Sequence, residues 1–318
     1  EVLGYTNPTG TQGGLGQTFG NFTWNCASQT GAITANAALD DINGTLKISS
    51  TGTGSFVLGN AVSTTTVDGN LEITGGTFNL SAGNALGITL LGNLTISGGT
   101  LTETGTGSGA ITFAKTGTQI LSITGSPTIS NTINFTVNSG AILEFETATT
   151  VLSGSGGTFN ATSGSTLIIK HAAGIAASGA TGCVQTTGTR TFDTGANYTY
   201  TGSSAQVTGT GLTGANNLTF SNTAGTTLSA ALTTIARTCT IDSGATLATN
   251  NYNMAFQGNF VNNGTFTAGS SNITIGAGTA TQSIAGFTTT GTVSMTKTGG
   301  IATLAGNVNG GALTISGL

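Results

Sequence analysis

Apolar and polar residues alternate along most of the chain in short runs of four to six residues. Leu71 and Ile73 flank one polar residue, and Leu94 and Ile96 repeat that spacing. Alternation at period two predicts half-buried β-strands. The i, i+3, i+4, i+7 spacing of an amphipathic helix does not occur, and abundant glycine and threonine disfavour helix formation. The pattern therefore predicts an all-β protein with almost no helix.

The strand-like runs repeat at a nearly constant interval. The segment 69–78 recurs at 92–101, and the segment 134–140 recurs at 158–164, so the two intervals are almost equal. Pairs such as Gly-Gly and Ser-Gly separate the runs and mark corners. Repetition of this kind predicts an all-β fold of the parallel β-helix (β-solenoid) type, with coils of about 19–25 residues.

Two further repeats bear on the coil assignment. Leu228, Leu247 and Phe266 follow one another at equal intervals, and the segment 218–223 resembles the segment 293–298, which suggests a higher-order repeat of several coils. A β-sandwich also has frequent turns and is the competing architecture. The solenoid is favoured because a sandwich has no reason to repeat its sequence at the coil period.

The two ends of the chain differ from the body. Residues 1–40 contain Tyr5 and Trp24 and are predicted to form an N-terminal cap or first-coil region, with 41–318 as the solenoid body. The two aromatic rings could instead stack on a sugar. Leu313 and Ile315 occupy the alternating positions that face the core in other strands. An uncovered last coil would expose them, so the chain is expected to continue beyond 318 or to dock head-to-tail on another subunit.

The composition excludes several classes of function. Charged residues make up 5% of the chain, the net charge is −4, and no cluster of Lys and Arg is present. Nucleic acid is therefore not an expected partner. No apolar run is long enough to predict a membrane span.

The three cysteines are an odd number at wide spacing, without a CxxC pair. We expect no disulfide framework and no zinc site. Cys239 has the parity of Ile241, which predicts a small buried side chain. Cys183 and Cys239 lie two to three coils apart, about 10–14 Å at the strand spacing, which is too far for a disulfide.

One cluster of residues has the chemistry of a catalytic site. It consists of Lys170, His171, Arg190 and Asp193 and includes the single histidine of the chain. The interval from Lys170 to Asp193 is about one predicted coil, so these two residues would stack on one face. Solvated surface charges explain the same residues. We therefore predict no catalytic residues, no cofactor site and no metal site.

Glu144 and Glu146 share one strand face and would offer two oxygens to calcium, which requires several more ligands. A solvated pair is the expected arrangement.

Threonine pairs could form an ice-binding array, but the varying coil length works against a regular spacing; the pairs are Thr51/Thr53, Thr100/Thr102/Thr104, Thr265/Thr267 and Thr279/Thr281. Asn-x-Ser/Thr sites occur as often as chance predicts in so Thr-rich a chain.

Several segments resemble large repetitive surface proteins of Bacteroidetes. They are residues 7–10 (NPTG), 22–26 (FTWNC), 188–198 (GTRTFDTGANY) and 259–266 (NFVNNGTF). The resemblance implies export by the type IX secretion route and a location at the cell surface or in a matrix.

These observations lead to one main hypothesis and two alternatives. The chain is expected to be a non-enzymatic, extracellular structural or adhesive β-solenoid, which self-associates and contacts surface glycans. The alternatives are a carbohydrate-active β-helix enzyme and an ice- or glycan-binding module.

Overall fold

The structure is a computed structural model, and it describes residues 1–6, 10–11, 14–35, 39–59, 63–276, 278 and 280–316. The described chain is all-β and contains no helix, as predicted. Parallel strands stack as a β-solenoid of about 13 turns, which confirms the predicted fold class. The turns divide between two compact units: Glu1–Asn160 with Val184–Arg190, and Ala161–Cys183 with Thr191–Leu318.

The strands up to residue 161 are β1 (Val2–Leu3), β2 (Gly10–Thr11), β3 (Phe22–Asn25), β4 (Ala32–Thr34), β5 (Asp41–Ile42), β6 (Leu46–Ser50), β7 (Ser55–Gly59), β8 (Ser63–Val67), β9 (Leu71–Ile73), β10 (Thr77–Ser81), β11 (Leu86–Leu90), β12 (Leu94–Ile96), β13 (Thr100–Thr102), β14 (Gly109–Phe113), β15 (Thr118–Ile123), β16 (Thr128–Ile129), β17 (Ile133–Val137), β18 (Ile142–Phe145), β19 (Leu152–Gly154) and β20 (Phe159–Ala161).

The later strands are β21 (Thr166–Ile169), β22 (Val184–Thr186), β23 (Arg190–Phe192), β24 (Asn197–Tyr200), β25 (Gln206–Val207), β26 (Gly214–Phe220), β27 (Thr226–Thr227), β28 (Leu232–Ile241), β29 (Thr246–Ala248), β30 (Met254–Phe256), β31 (Asn259–Asn262), β32 (Thr265–Thr267), β33 (Ile273–Ile275), β34 (Gln282–Ile284), β35 (Phe287–Thr288), β36 (Thr292–Met295), β37 (Ala302–Leu304), β38 (Val308–Asn309) and β39 (Ala312–Ile315).

The first unit has three walls of parallel strands. Wall A contains β1, β3, β6, β9, β12, β15 and β18. Wall B contains β2, β4, β7, β10, β13 and β16. Wall C contains β5, β8, β11, β14 and β17.

The second unit also has three series of paired strands. Wall D runs from β28 through β30, β33 and β36 to β39. Wall E runs from β21 through β24, β26, β28, β31 and β34 to β37. Wall F contains β25, β27, β29 and β32, and β35 pairs separately with β38.

The core is a set of stacked columns, because equivalent residues of successive coils lie directly above one another. In wall A, Leu46, Leu71, Leu94 and Leu121 pair in register and are fully buried. Each column buries one side chain per coil, at about 0.8 kcal/mol for each buried methylene. The core of each unit is therefore narrow and built from such columns.

Asparagine side chains join one coil to the next along the outer corners. In each case the Oδ1 atom accepts a hydrogen bond from a backbone N–H of the following coil, which removes an unpaired donor. The donors for Asn21, Asn70, Asn93, Asn134, Asn253, Asn259 and Asn272 are the N–H groups of Thr45, Asn93, Ile120, Thr158, Asn272, Ser283 and Thr292. These ladders explain why Gly-Asn recurs at the repeat interval.

Buried glutamines make similar contacts inside the corners. Each donates through Nε2 to two backbone carbonyl groups, which lie on the preceding coil in three of the four cases. The four are Gln29, Gln119, Gln206 and Gln282. All are nearly inaccessible to solvent, so the amide satisfies carbonyl groups that water does not reach.

Two of the sequence repeats coincide with strand register. Leu71 pairs with Leu94, and Leu247 pairs with Phe266, so the repeat interval is confirmed at both positions. Two copies of a repeated segment thus lie one coil apart wherever the corner between the strands keeps its length.

Two other repeats do not coincide with register. Leu247 pairs with Thr226 and not with Leu228, because that coil is two residues longer, so the predicted step from 228 to 247 was wrong. The higher-order repeat was also wrong, because Leu218 lies in wall E and Val293 in wall D. Alternating apolar residues fit any wall, so similarity alone does not identify the wall.

Most coils have the predicted length, but some are longer. The step from Leu94 to its partner Leu121 exceeds the step from Leu71 to Leu94, and the additional residues lie in the corner at 114–117. The step from Leu167 to its partner Tyr198 is longer still. The additional residues lie in corners because an insertion inside a strand would turn its side chains to the wrong face.

The predicted N-terminal region, 1–40, already contributes to the walls. Trp24 in β3 pairs with Ile48, and Ile33 in β4 pairs with Phe56. Residues 22–34 therefore include strands that pair with those of the next coil. The division between the two units, after Asn160 and again around Val184–Arg190, falls inside the predicted 41–318 body.

The three cysteines, Cys26, Cys183 and Cys239, are buried and form no disulfide, so Cys183 is not joined to Cys239. Cys239 occupies the core column between Leu218 and Phe260, as its parity predicted. Burial raises the pKa of its thiol, which keeps the group neutral and unreactive.

Candidate functional site

The register separates two members of the predicted catalytic cluster. Ile169 pairs with Tyr200, so Lys170 lies beside Thr201 on the next coil and not beside Asp193. Stacking of Lys170 on Asp193 was therefore wrong, because this coil is longer than the interval between the two residues.

The other members of that cluster have structural contacts. The Oδ1 atom of Asp193 accepts the N–H of Gly195 at 2.7 Å, and its carbonyl group accepts the Tyr198 hydroxyl at 2.8 Å. Arg190 belongs to the first unit, is 9% exposed, and donates through Nε to the Thr186 carbonyl at 2.8 Å. These contacts hold turns in place.

His171 also stabilises a turn. Its Nδ1 atom accepts the N–H of Ala173 at 3.1 Å. Burial lowers the pKa of the imidazole, so the ring is neutral at pH 7.

Glu144 lies in β18 with its side chain half-buried, and Glu146 follows the strand and accepts a hydrogen bond from the Ser122 hydroxyl. Within the described ranges, no three His, Cys, Asp or Glu side chains come together. The glutamate pair therefore offers few ligands to a calcium ion.

The predicted threonine pairs do not share one face. Thr51 is buried, donates to the Gly54 carbonyl and accepts the N–H of Thr77, and Thr279 lies outside the described residues. A column that the sequence reasoning missed runs along wall C, where Thr66, Thr89, Thr112 and Thr136 pair in register.

Another column of wall C contains Thr64, Gly87, Ala110 and Asn134, so the hydroxyl groups repeat in one dimension only. A flat ice-binding array needs regular spacing in two dimensions.

The two N-terminal aromatic side chains meet each other. The ring centroids of Tyr5 and Trp24 are 5.9 Å apart. Trp24 is 1% exposed and donates through Nε1 to Gln29 at 2.8 Å, so its face is not available to a sugar ring. Trp24 is a core residue of the first unit.

A carboxyl group that the sequence reasoning missed lies at the end of β13. Glu103 is 3% exposed, and its Oε1 atom has no hydrogen-bond partner. Burial raises the pKa of this carboxyl group, and a hydrogen bond from the Gly105 backbone lowers it by less. An unpaired buried oxygen is costly, by about 1–3 kcal/mol, so its presence calls for a physical reason.

The column around Glu103 is otherwise apolar on one side. The register of β7, β10 and β13 places Glu103 next to Leu80 and Leu80 next to Leu58, and both leucines are fully buried. A carboxyl group thus occupies a position where the two preceding coils place a leucine. The alternation of the strand predicts a buried side chain at position 103. A glutamate at a position where a buried apolar residue is expected was the feature of the sequence that could have identified this site.

A glycine on the neighbouring wall makes room for this side chain. Gly109 lies in register with Ile133 and next to the position of Leu86, both buried. A Cβ atom on Gly109 would approach Glu103 Cγ to 3.1 Å and a methyl group of Leu80 to 2.9 Å. The glutamate at 103 and the glycine at 109 are therefore complementary changes to two apolar columns.

Glu103 forms part of the wall of a surface depression of about 520 Å³ in the first unit. The described residues that line it are Glu103, Thr104, Gly105, Asn131, Thr132, Ser155 and Gly156. They come from three successive coils, so the depression crosses several layers of the stack. Its volume lies in the range typical of small-molecule sites.

Hydrogen bonds fix the rim of the depression. The N–H of Asn131 donates to the Ser155 hydroxyl at 3.0 Å, and its Nδ2 donates to Thr102 Oγ1 at 3.0 Å. Asn131 has a positive φ of 64°, which Asn tolerates better than most residues. These hydrogen bonds hold the polar groups of the rim in place.

Comparison of the chain with protein-family models, with curated proteins and with solved structures gave no significant match. In the described part of the chain, no helix is long and apolar enough to cross a membrane.

Proposed function

We propose that this chain is an extracellular structural or adhesive β-solenoid. The observation that supports this most is the use of the repeated sequence for contacts between coils. Strand residues pair in parallel, core residues stack in columns, and corner asparagines accept N–H groups of the next coil. Such a chain resists unfolding locally, because each inner coil is bonded on both sides.

Low charge and the surface-protein resemblance support the extracellular location. Charged residues make up 5% of the chain, and Lys47 with Glu72 forms a partly exposed ion pair at 3.4 Å. An almost neutral, hydroxyl-rich surface suits contact with neutral polysaccharides. Antibodies against the chain should label intact, unpermeabilised cells of the source organism; labelling only after permeabilisation would contradict this location.

Adhesion and enzymatic cleavage can be separated in one experiment. The protein is incubated with cellulose, chitin and agarose, and both its depletion from solution and the release of reducing ends are measured. We expect depletion on at least one polysaccharide without release. Release of reducing ends would favour the alternative of a carbohydrate-active enzyme.

We also propose self-association in a head-to-tail contact. Leu313 and Ile315 lie in register with Val293 and Met295, yet they are 68% and 63% exposed. Another copy that adds a parallel strand to β39 would cover both side chains, as would a further coil of the same polypeptide.

Sedimentation over a range of concentrations tests this contact. The chain should assemble with increasing concentration, and Leu313→Asp with Ile315→Asp should prevent assembly. A concentration-independent monomer of 31.0 kDa would exclude the contact.

A further inference from the structure

We propose that the depression around Glu103 binds a neutral saccharide of one or two sugar units. The inference rests on the adhesive part of the proposed function, and it names the class of ligand and the residue that recognises it. The depression, the unpaired Oε1 atom of Glu103 and the complementary glycine at 109 are its three supports.

The chemistry of the lining favours hydroxyl groups. Thr104, Thr132 and Ser155 carry hydroxyl groups and Asn131 an amide, and each of these groups both donates and accepts hydrogen bonds. Sugar hydroxyl groups have the same dual character. A carboxyl group on the wall adds an acceptor for sugar hydroxyl groups, and hydrogen bonds to a charged acceptor are the strong ones.

Charge excludes the main competing ligands. Among the described residues that line the depression, Glu103 is the only ionisable one. This described lining therefore has no cationic side chain that would neutralise a phosphate, a sulfate or a uronic acid. Calcium takes six to eight oxygen ligands, usually with several carboxylates, and this lining supplies one.

The single carboxyl group also favours binding over hydrolysis. Glycosidases generally use two carboxyl groups on either side of the scissile bond. Glu103 has no second Asp or Glu beside it in the described lining. We therefore assign Glu103 to recognition.

The test uses the full chain and four neutral disaccharides: maltose, cellobiose, chitobiose and mannobiose. Saturation-transfer NMR detects weak binding, and calorimetry gives the affinity for those that bind. We expect at least one to bind, and Glu103→Gln to weaken it about tenfold or more, because a hydrogen bond to a charged group is lost.

Two further variants separate loss of binding from loss of fold. Glu103→Leu matches the apolar neighbours in its column, so it should fold and not bind. Ser155→Arg would fill the depression from its exposed rim and should also abolish binding. Glu144→Gln changes a carboxylate outside the depression and is the matched control, with unchanged affinity expected.

The outcomes are distinct. If none of the disaccharides binds, or if binding is equal in Glu103→Leu and the wild type, the proposal is wrong. A third outcome would point to a cation site in place of a saccharide site. In that case no disaccharide binds, and titration with calcium chloride releases or absorbs heat in the wild type but not in Glu103→Gln. If polysaccharide adhesion is kept in Glu103→Leu while disaccharide binding is lost, the proposed function stands without this site as its basis.

Discussion

A buried carboxylate in the first unit and a buried lysine in the second show two different ways to place an ionisable group in a thin core. Lys297 is 7% exposed, and its three donors meet three acceptors: the carbonyl groups of Gly278 and Ala280 and the side chain of Gln282, at 3.3, 2.8 and 2.9 Å. Glu103 is buried more deeply, yet one of its oxygens lacks a partner.

The difference separates a structural group from a candidate site. An ammonium group has three N–H donors, so Lys297 is satisfied, and it links the coil of residue 297 to that of Gln282. Glu103 leaves an acceptor unused beside a depression. We infer that the satisfied group contributes to stability and that the unsatisfied one reduces it.

The largest expected effect is at Lys297. Lys297→Met removes three hydrogen bonds and leaves the buried side-chain oxygen of Gln282 without the ammonium donor, so the free energy of unfolding should fall by about 3 kcal/mol. Urea denaturation measures it. Lys47→Met, at a partly exposed ion pair with Glu72, is the control and should change stability by no more than about 0.5 kcal/mol. Equal effects of the two changes would refute the structural role of Lys297.

The next effect has the opposite sign. Glu103→Leu restores the apolar column of Leu58 and Leu80, so the free energy of unfolding should rise by about 1 kcal/mol at pH 7, because an unpaired polar atom is removed. The same urea titration measures it, with Glu144→Leu as a control at a half-buried position. A loss of more than about 2 kcal/mol would mean that Glu103 has a stabilising partner.

The asparagine ladders should contribute about equally in both units. Asn93→Ala in the first unit and Asn272→Ala in the second each remove one acceptor from a backbone N–H, at 2.8 and 2.9 Å. Each should lower the free energy of unfolding by about 1 kcal/mol. Asn309→Ala removes only a side-chain contact with the Thr288 hydroxyl and no acceptor of a backbone N–H, so it should cost less than about 0.5 kcal/mol. A large effect in one unit alone would show that the ladders are not equivalent.

The smallest effect is the pH dependence that Glu103 contributes. Burial raises its pKa in the folded state above the ordinary value of 4.5, so the folded chain holds the proton to higher pH than the unfolded chain does. This contribution to stability is complete below about pH 4.5 and is lost as the pH rises through the raised pKa. Glu103→Gln should abolish this part of the slope. If the difference in the free energy of unfolding between the wild type and Glu103→Gln is constant across this pH range, the raised pKa is contradicted.

The repeated segments of the sequence were sufficient to predict stacked parallel strands but not the alignment of every coil. Leu71 and Leu94 lie one coil apart as predicted, because the corner between their strands keeps its length. Leu228 does not pair with Leu247, because two additional residues shift the register. Corner length carries no signal of its own, since glycine, serine and threonine fill corners of any size.

At the candidate site, too, one part was predictable from the sequence and another part was not. Glu103 follows a strand of clear parity, so its burial was readable from the segment 100–103. Its neighbours were not, because Asn131 and Ser155 lie on the next two coils, and the corner lengths between them decide whether they reach the depression. The predicted partner of Lys170 was wrong for the same reason, since its coil is longer than the repeat interval suggested.

The sequence by itself determined the β-class, the parallel coil and the thin core, because the two-residue period and the near-constant repeat are local properties of the chain. The tertiary structure decided which residues lie side by side. Additional residues in a corner change which residue number of the next coil pairs with a given position, as for Leu94 and Leu121. Only the closed set of hydrogen bonds between coils fixes that register, and with it the depression at Glu103 and the three acceptors around Lys297.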